Sequence, residues 1–313
     1  MIKVRSLTKT FEVKGRSLPA VRGVDFDVAA GEIVGFLGPN GAGKTTTLRM
    51  LATLLRPTSG EALVAGCDLS ADPAGVRRRI GYVGQEGSAG PDQRAAEEVT
   101  MQARIYGMSA KDARERTATL LEEFDLGDAG NRLAGTLSGG QRRRLDIAMG
   151  IVHRPGLLFL DEPSTGLDPQ SRINLWEHIT ALRDEHDTTV FLTTHYLDEV
   201  DVLCDRILVI DHGTIIAEGT PDQLKQRVSG DLVVLVTDDS ESTATIAKKS
   251  DGASETSVDG ATVSFRVPRG DEVLPGLLRE LDLAGVKVSS IQSHRPTLDD
   301  VFLTLTGRSL RDA

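Results

Sequence analysis

Cysteine is almost absent from this sequence, because only Cys67 and Cys204 occur among 313 residues. Two distant thiols provide neither a disulfide framework nor a metal-ligand cluster, so a reducing cytosol is the expected compartment. Hydrophobic residues nevertheless make up 39% of the chain. A chain of this length and apolar content can bury a core without cross-links, and it is long enough for one large and one small domain.

Positive charge is also in deficit. The 36 Lys and Arg residues are outnumbered by 46 Asp and Glu residues, which gives a formal net charge of −10 at pH 7. Binding a nucleic-acid backbone requires clustered cations, so this balance argues against nucleic acid as a partner. The one dense basic run beside a motif, Arg142-Arg143-Arg144, is too short to change that expectation.

Long hydrophobic runs are missing as well. The longest, such as residues 157–160 and 233–236, are strand-sized and fall short of the roughly 18 to 20 apolar residues that span a bilayer. Residues 1–9 lack the apolar segment of a secretory signal. Any path through a membrane would therefore have to be formed by another chain.

Strand-like and helical segments alternate in the first part of the chain. An apolar run at 32–37 leads into a Gly-rich loop, and residues 44–55 then carry Leu at helical spacing. Further strands are predicted at 81–83, 156–160, 188–193 and 206–210. Strands separated by helices predict an α/β fold with a mainly parallel sheet covered on both faces.

Two regions depart from this alternation. Between about residues 86 and 152 only helices are predicted, which indicates a helical insertion, at 95–106, 110–124 and 141–152. A boundary near residue 220 separates a first domain, 1–220, from a small α+β domain, 221–313. In the latter we predict strands at 231–236, 261–267 and 286–292 and helices at 271–283 and 297–306. Residues 238–260, rich in Ser, Thr, Asp and Gly, are expected to be a poorly packed loop.

The loop GPNGAGKT at 38–45 fits the pattern G-x-x-x-x-G-K-[ST] between a strand and a helix. In such a loop, backbone amides and the helix N-terminus face bound phosphates. Lys44 would neutralise the phosphates and the Thr45 hydroxyl would ligate Mg²⁺. A Gly-rich turn that only caps a helix is the alternative, which the context disfavours. The nucleotide-binding residues predicted here are Gly38, Pro39, Asn40, Gly41, Ala42, Gly43, Lys44, Thr45 and Thr46.

The run LLFLDE at 157–162 is a buried-strand pattern that ends in two carboxylates. Asp161 is placed to hold Mg²⁺, directly or through water, and Glu162 to polarise a water for in-line attack on the γ-phosphorus. An Asp-Glu pair after a strand more often only caps the next helix. The functional interpretation therefore depends on the phosphate-binding loop.

The run LSGGQ at 137–141 precedes a helix, so that Ser138, Gly139 and Gly140 would expose amides and a hydroxyl at its N-terminus. Ser138 is also a favoured N-cap and could have that role alone. Since the chain already has one phosphate-binding loop, a second anion site requires a second anion or a second chain. This points to a site shared between two chains.

Together with Gln85, the run STGLD at 164–168 and His195, these motifs follow the order seen in nucleotide-binding domains of the ABC transporter family, which residues 1–220 resemble. The resemblance implies a P-loop NTPase core and a head-to-tail dimer, most simply of two identical chains, around two ATP molecules. Each ATP would lie between the phosphate-binding loop of one chain and Ser138, Gly139, Gly140 and Gln141 of the other.

The resemblance also implies individual roles. Gln85 would reach Mg²⁺ and the attacking water, Asp168 would communicate across the dimer, and His195 would bond the γ-phosphate and orient water with Glu162. A His at a strand end is often structural, so its role depends on the rest of the set. Phe11 stands where the family stacks an aromatic ring on adenine, although it could also belong to the core. Residues 86–94 are unusually small and polar for the family.

Residues 295–307 resemble the C-terminal extension of daunorubicin-resistance-type exporter ATPases. Leu298, Val301, Phe302 and Leu305 lie at helical spacing there, and core packing or contact with another subunit would explain them. The resemblance implies a peripheral ATPase subunit at the cytoplasmic face of the cell membrane. It would power export of a drug-like or lipid-like molecule through a separate transmembrane permease. Import, or a soluble role on a ribosome or DNA, is the alternative.

Overall fold

The computed structural model describes residues 1–228 and 230–307. The strands are β1 (Ile2–Val13), β2 (Arg16–Val28), β3 (Ile33–Leu37), β4 (Ser59–Val64), β5 (Cys67–Asp68), β6 (Ile80–Val83), β7 (Leu157–Asp161), β8 (Thr189–Thr194), β9 (Arg206–Asp211), β10 (Thr214–Gly219), β11 (Asp231–Thr237), β12 (Ser254–Asp259), β13 (Thr262–Val267) and β14 (Val288–His294).

The α-helices are α1 (Lys44–Leu51), α2 (Pro73–Arg79), α3 (Ala95–Ile105), α4 (Ala110–Glu123), α5 (Gly139–Gly150), α6 (Pro169–His186), α7 (Leu197–Leu203), α8 (Pro221–Lys225), α9 (Ser240–Ala247), α10 (Gly270–Leu283) and α11 (Leu298–Thr306). The chain divides into two compact units between Pro221 and Asp222.

The first unit is built around a six-stranded sheet of order β10-β9-β3-β8-β7-β6. The five strands from β9 to β6 are parallel, and only β10 runs antiparallel, at one edge. Every residue of β3, β7 and β8 is buried, as expected for central strands covered on both faces. The predicted α/β class with a mainly parallel sheet is confirmed. Helices α3, α4 and α5 follow one another between β6 and β7, in the region where the helical insertion is predicted.

A second sheet in this unit, of order β2-β1-β4-β5, is antiparallel and was not predicted. Its inward residues alternate along β2, where Val24, Phe26 and Val28 are buried. Phe26 joins the two sheets, because its ring stacks on that of Phe191 from β8 with the centroids 5.7 Å apart. The antiparallel sheet therefore shares its core with the parallel one.

The helix after the phosphate-binding loop is shorter than the predicted 44–55. It ends at Leu51, and Thr53 follows with a left-handed φ of 63°. Leu48 and Leu51 are buried as predicted, but Leu54 is exposed because the chain has left the helix by then. Leucine spacing alone did not reveal this ending.

The second unit contains a four-stranded antiparallel sheet of order β12-β13-β11-β14. Its core combines Val233 and Leu235 of β11 and Phe265 of β13 with side chains of α9 and α10. The expectation of a poorly packed loop at 238–260 is wrong, since this stretch forms α9 and β12. Its polar composition has two physical causes: Asp239 caps α9 by accepting from the Ser242 amide at 3.0 Å, and β12 is an exposed edge strand.

The terminal helix α11 begins where it was predicted. Thr297 and Asp300 cap each other's backbone amides at its first turn. Leu298, Val301 and Phe302 are buried, whereas Leu305, the last member of the predicted stripe, is exposed. Within residues 1–228 and 230–307, no helix is both long and apolar enough to traverse a bilayer.

Candidate functional site

The phosphate-binding loop lies between the carboxyl end of β3 and the start of α1. Asn40 and Gly41 are exposed at its tip, while most of the loop is buried. Gly43 adopts a φ of 107°, and a Cβ there would approach the Ala20 carbonyl to 2.6 Å, so only glycine fits. No side chain caps α1, which begins with Lys44. Its first amides are therefore available to an anion.

Lys44 places a buried cation inside this loop. Its Nζ donates to the carbonyls of Gly38 at 2.8 Å and Pro39 at 3.1 Å, and lies 3.4 Å from Oε1 of Glu162. Burial lowers the pKa of Lys44, and the Glu162 carboxylate opposes that shift. The ammonium thus bridges the loop and the strand end that carries the two predicted carboxylates.

Asp161 forms the oxygen-rich side of the site. Its Oδ1 accepts from the hydroxyls of Thr45 at 2.9 Å and Thr193 at 2.7 Å. Its Oδ2 is buried without a hydrogen-bond partner among the described residues. Mg²⁺ prefers oxygen ligands and keeps waters and phosphate oxygens in its shell, so a hydroxyl and a carboxylate suffice on the protein side. Thr45 and Asp161 therefore fit a magnesium ion.

The Glu162 carboxylate is contacted by the three other predicted catalytic residues, Lys44, Gln85 and His195. Lys44 approaches Oε1, while Oε2 accepts from Gln85 Nε2 at 3.3 Å and from the Thr165 hydroxyl at 3.2 Å. Nδ1 of His195 lies 3.4 Å from the same Oε2. The backbone of Glu162 has a left-handed φ of 45°, a strained conformation that is common at functional sites.

These neighbours keep Glu162 charged. His195 first and Lys44 next hold its pKa at about 2, against the opposing effect of burial. In this arrangement the group is a fixed anion and a poor proton acceptor. Its basicity depends on how closely Lys44 and His195 approach.

The signature turn, residues 138–140, lies at the start of α5. Ser138 is its N-cap: its hydroxyl accepts from the Gln141 amide at 3.2 Å, and the Gln141 side chain accepts from the Ser138 amide at 3.1 Å. Ser138 and Gly139 are exposed, whereas Gly140 is buried beside Ser171. The capping interpretation is thus correct, and Gly139, the first residue of α5, stays exposed to solvent.

Asp168 and Phe11 have contacts that do not involve a nucleotide. Asp168 caps α6, accepting from the Ser171 amide at 2.9 Å and hydroxyl at 2.6 Å, and these bonds lower its pKa. Phe11 lies on β1 with the Lys9 ammonium 5.2 Å from its ring centroid. An adenine stacked on Phe11 would therefore use the opposite ring face. Their roles toward ATP stay predictions.

Three residues of this region were not anticipated from the sequence. Thr193 bonds Asp161, and Thr165 bonds Glu162. Arg143 was treated only as part of a basic run, yet it is buried and donates to backbone carbonyls of the site. A hydroxyl residue at the carboxyl end of a neighbouring parallel strand was a usable signal for Thr193. No local signal identifies Arg143.

Comparisons with known proteins match two separate regions of the chain. Residues 21–165 match the ABC transporter family, and residues 219–306 match the family of the ATP-binding protein DrrA1-3-like, C-terminal domain. The daunorubicin/doxorubicin resistance ATP-binding protein DrrA of Streptomyces peucetius is 47% identical over 299 residues, 94% of this chain and 89% of that protein.

The doxorubicin resistance ATP-binding protein DrrA of Mycobacterium tuberculosis is 42% identical over 311 residues, 97% of this chain and 93% of that protein. Among solved structures, a dimeric post-hydrolysis state of the ATP-binding cassette MJ0796 bound to ADP and Pi matches with a TM-score of 0.65 and 27% identity. It covers 70% of this chain and 98% of that one.

Proposed function

Because this chain belongs to the ABC transporter family of ATP-binding proteins, we propose that it powers export of a drug-like or lipid-like molecule through a separate transmembrane permease. One observation carries the catalytic part: Lys44, Gln85 and His195 converge on the Glu162 carboxylate beside the phosphate-binding loop. The direction is supported by the relatives named for drug resistance, since a transporter that confers resistance must move its cargo outward.

The chain works as a dimer in this proposal, and two identical copies are the simplest arrangement. The exposure of Ser138 and Gly139 supports it, because amides at a helix N-terminus bind anions. ATP held by the phosphate-binding loop of one chain would present its γ-phosphate to the signature turn of the other. The nucleotide would then join these two surfaces.

Lys44 regulates the basicity of Glu162 in this mechanism. When the γ-phosphate enters the loop, the ammonium exchanges its contact with Glu162 for phosphate oxygens. The pKa of Glu162 then rises, since one of the two neighbours that depress it has moved away. Gln85 and His195 hold the attacking water against the carboxylate. Mg²⁺ held by Thr45 and Asp161 would neutralise charge on the β- and γ-phosphates.

The permease is proposed to contact the helical insertion. Met101 and Ile105 lie four residues apart on α3 and are 63% and 68% exposed, so they present apolar surface on one face of the helix. Helix α3 directly follows the polar segment 86–94 in the sequence. Docking there would hold the ATPase at the cytoplasmic face of the cell membrane as a peripheral subunit.

Glu162→Gln tests the scheme. The variant keeps every phosphate contact and loses the carboxylate, so it should bind ATP with Mg²⁺, fail to hydrolyse it and accumulate as a dimer. Gel filtration with ATP, with ADP and without nucleotide checks this. Ser138→Arg in the same background is the control, because it should bind ATP and remain monomeric. A Glu162→Gln chain that binds ATP but stays monomeric would contradict the shared site.

A further inference from the structure

Arg143 of α5 is a buried cation whose side chain donates to three backbone carbonyls. Its Nε donates to Pro163 O at 2.9 Å, Nη2 to Asp161 O at 2.9 Å and Nη1 to Gly84 O at 2.6 Å. Two of these carbonyls flank Glu162 in sequence, and the third precedes Gln85. The Arg143 side chain therefore holds the backbone on both sides of Glu162 and the backbone of the residue before Gln85.

Asp146 lies three residues further along α5. It bonds the residues that follow Gln85 in the sequence. Its Oδ1 accepts from the Ser88 amide at 2.9 Å, the Ser88 hydroxyl at 3.1 Å and the Ala89 amide at 3.3 Å. A Cβ on Gly87 would approach Oδ2 to 3.3 Å. The small, polar composition after Gln85 is thus explained, because these residues fold closely around a carboxylate.

These contacts are costly to build. Arg143 is 7% and Asp146 3% exposed, and burying charge is unfavourable unless it is paired and hydrogen-bonded. The three donors of Arg143 satisfy carbonyls that point in different directions, which the planar guanidinium fork allows and a single ammonium does not. A chain that needed only helix packing at these positions would be served by apolar residues.

We propose that Arg143 and Asp146 are positioning residues that hold Gln85 and Glu162 in place from the helix that begins with the signature turn. The inference rests on the proposed ATPase function and deepens it. Since α5 begins at the turn that would receive the partner's ATP, a shift of α5 on dimer closure reaches Gln85 and Glu162 of its own chain through these two side chains. Each phosphate-binding site then senses whether the other is occupied.

Arg143→Met and Arg143→Lys, made in the 313-residue chain, test the positioning role of Arg143. Both should lower kcat for ATP at least tenfold, while the Kd for ATP stays within about threefold, because the phosphate-binding loop is untouched. Arg142→Met is the matched control, since the side chain of the partly exposed Arg142 donates to Gly135 O at 3.0 Å and not to the carbonyls that Arg143 holds. Its kcat should stay within about twofold of the parent.

A second readout separates positioning from general support of the fold. In the Glu162→Gln background, Arg143→Met should still form the ATP-bound dimer, because the positioned groups act on water and not on association. Asp146→Ala should accelerate hydrogen exchange at the Ser88 and Ala89 amides at least tenfold and leave exchange in β13 unchanged. Should Arg143→Met not fold, Arg143→Lys keeps the buried charge and gives the same measurements.

The outcomes are distinct. If the parent chain hydrolyses ATP and both Arg143 variants match Arg142→Met in kcat, the inference is wrong and the proposed function stands. Loss of the ATP-bound dimer in Arg143→Met with Glu162→Gln, where Arg142→Met keeps it, also overturns the inference, because Arg143 would then build the signature turn. If the parent chain hydrolyses no ATP in the presence or absence of its membrane partner, the proposed function itself fails.

Discussion

Among single residues, Glu162 has a predicted catalytic role and an effect on the free energy of unfolding that depend on the same pKa. Its pKa in the fold is about 2, below its ordinary value of 4.5. A carboxyl whose pKa is depressed by folding contributes stability that is complete above its unfolded pKa and is lost as the pH falls toward the folded one. The relevant window therefore runs from about pH 4.5 down to about pH 2.

We expect acid to reduce the free energy of unfolding of the parent chain more steeply than that of Glu162→Gln in this window, since glutamine does not titrate. Denaturant unfolding of both proteins at several pH values would measure the difference. Thr165→Val is a useful comparison, because it removes a neutral donor to Glu162 and leaves Lys44 and His195 in place. Parallel pH profiles for parent and Glu162→Gln would contradict the ion pairing.

Lys44 offers a second prediction at this scale. Lys44→Ala removes the cation that faces the phosphates and one of the two neighbours that lower the pKa of Glu162, so ATP turnover should fall by roughly 100-fold or more. Steady-state hydrolysis and nucleotide titration would measure this. Lys111→Ala on α4 is the control, because that lysine is 82% exposed and its ammonium lies 3.7 Å from Glu115 on the same helix. Unchanged hydrolysis in Lys44→Ala would refute the role of the lysine.

The sequence identified those groups of the site whose spacing is local. Lys44 and Thr45 are fixed by the loop between one strand and one helix, and Asp161 and Glu162 by the end of another strand, so short patterns sufficed. Thr193 and Arg143 reach Asp161 from β8 and α5, which lie beside it only in the folded chain. Contacts made across elements leave no short-range signal.

The start of α5 gives a prediction at the scale of an element. A Cβ on Gly140 would meet Ser171 of α6, 2.7 Å from Oγ and 2.9 Å from Cβ, whereas one on Gly139 would meet only Leu167 at 3.6 Å. Gly140→Ala should therefore destabilise the cassette by about 1–3 kcal/mol through overpacking. Gly139→Ala should fold with the stability of the parent.

The relative stability of these two variants should not predict their ATP-driven dimer formation. Gly139 is exposed at the proposed phosphate contact, so Gly139→Ala is expected to weaken ATP-driven dimer formation although its Tm is unchanged. Thermal unfolding and gel filtration in the Glu162→Gln background would separate the two effects. If Gly139→Ala forms the ATP-bound dimer as readily as the parent, the turn does not approach a phosphate. A Tm for Gly140→Ala equal to that of the parent would contradict the steric argument.

Whole elements were predictable where their apolar pattern was continuous. β3, β7 and β8 are buried along their full length and were anticipated as strands. The β1–β2 hairpin was not anticipated, since many of its residues are exposed and its polar side chains resemble a loop. Helix α9 was missed for a related reason, because a polar residue occupies a core position there. Thr243 is buried, and its hydroxyl bonds the Asp239 carbonyl and the Thr237 hydroxyl.

At the scale of the whole molecule, the cassette divides one catalytic task between two surfaces. Lys44 and Glu162 are buried beside the phosphate-binding loop, whereas Ser138 and Gly139 of the signature turn are exposed at the start of α5. Each copy also carries a net charge of −10, so two copies repel until salt and bound Mg²⁺ screen them. Association should therefore require nucleotide and should be studied near physiological ionic strength, where screening is effective.

Mixing two defective chains tests this division. In the Glu162→Gln background, Lys44→Ala lacks a working phosphate-binding loop and Ser138→Arg lacks a working turn, so each alone should remain monomeric with ATP. A mixed dimer has one complete site, formed by the loop of the Ser138→Arg chain and the turn of the Lys44→Ala chain. We expect ATP to produce dimers in the mixture alone, measured by gel filtration with one chain labelled. If each chain used its own loop and turn, the mixture would stay monomeric, because neither subunit would contain an intact pair.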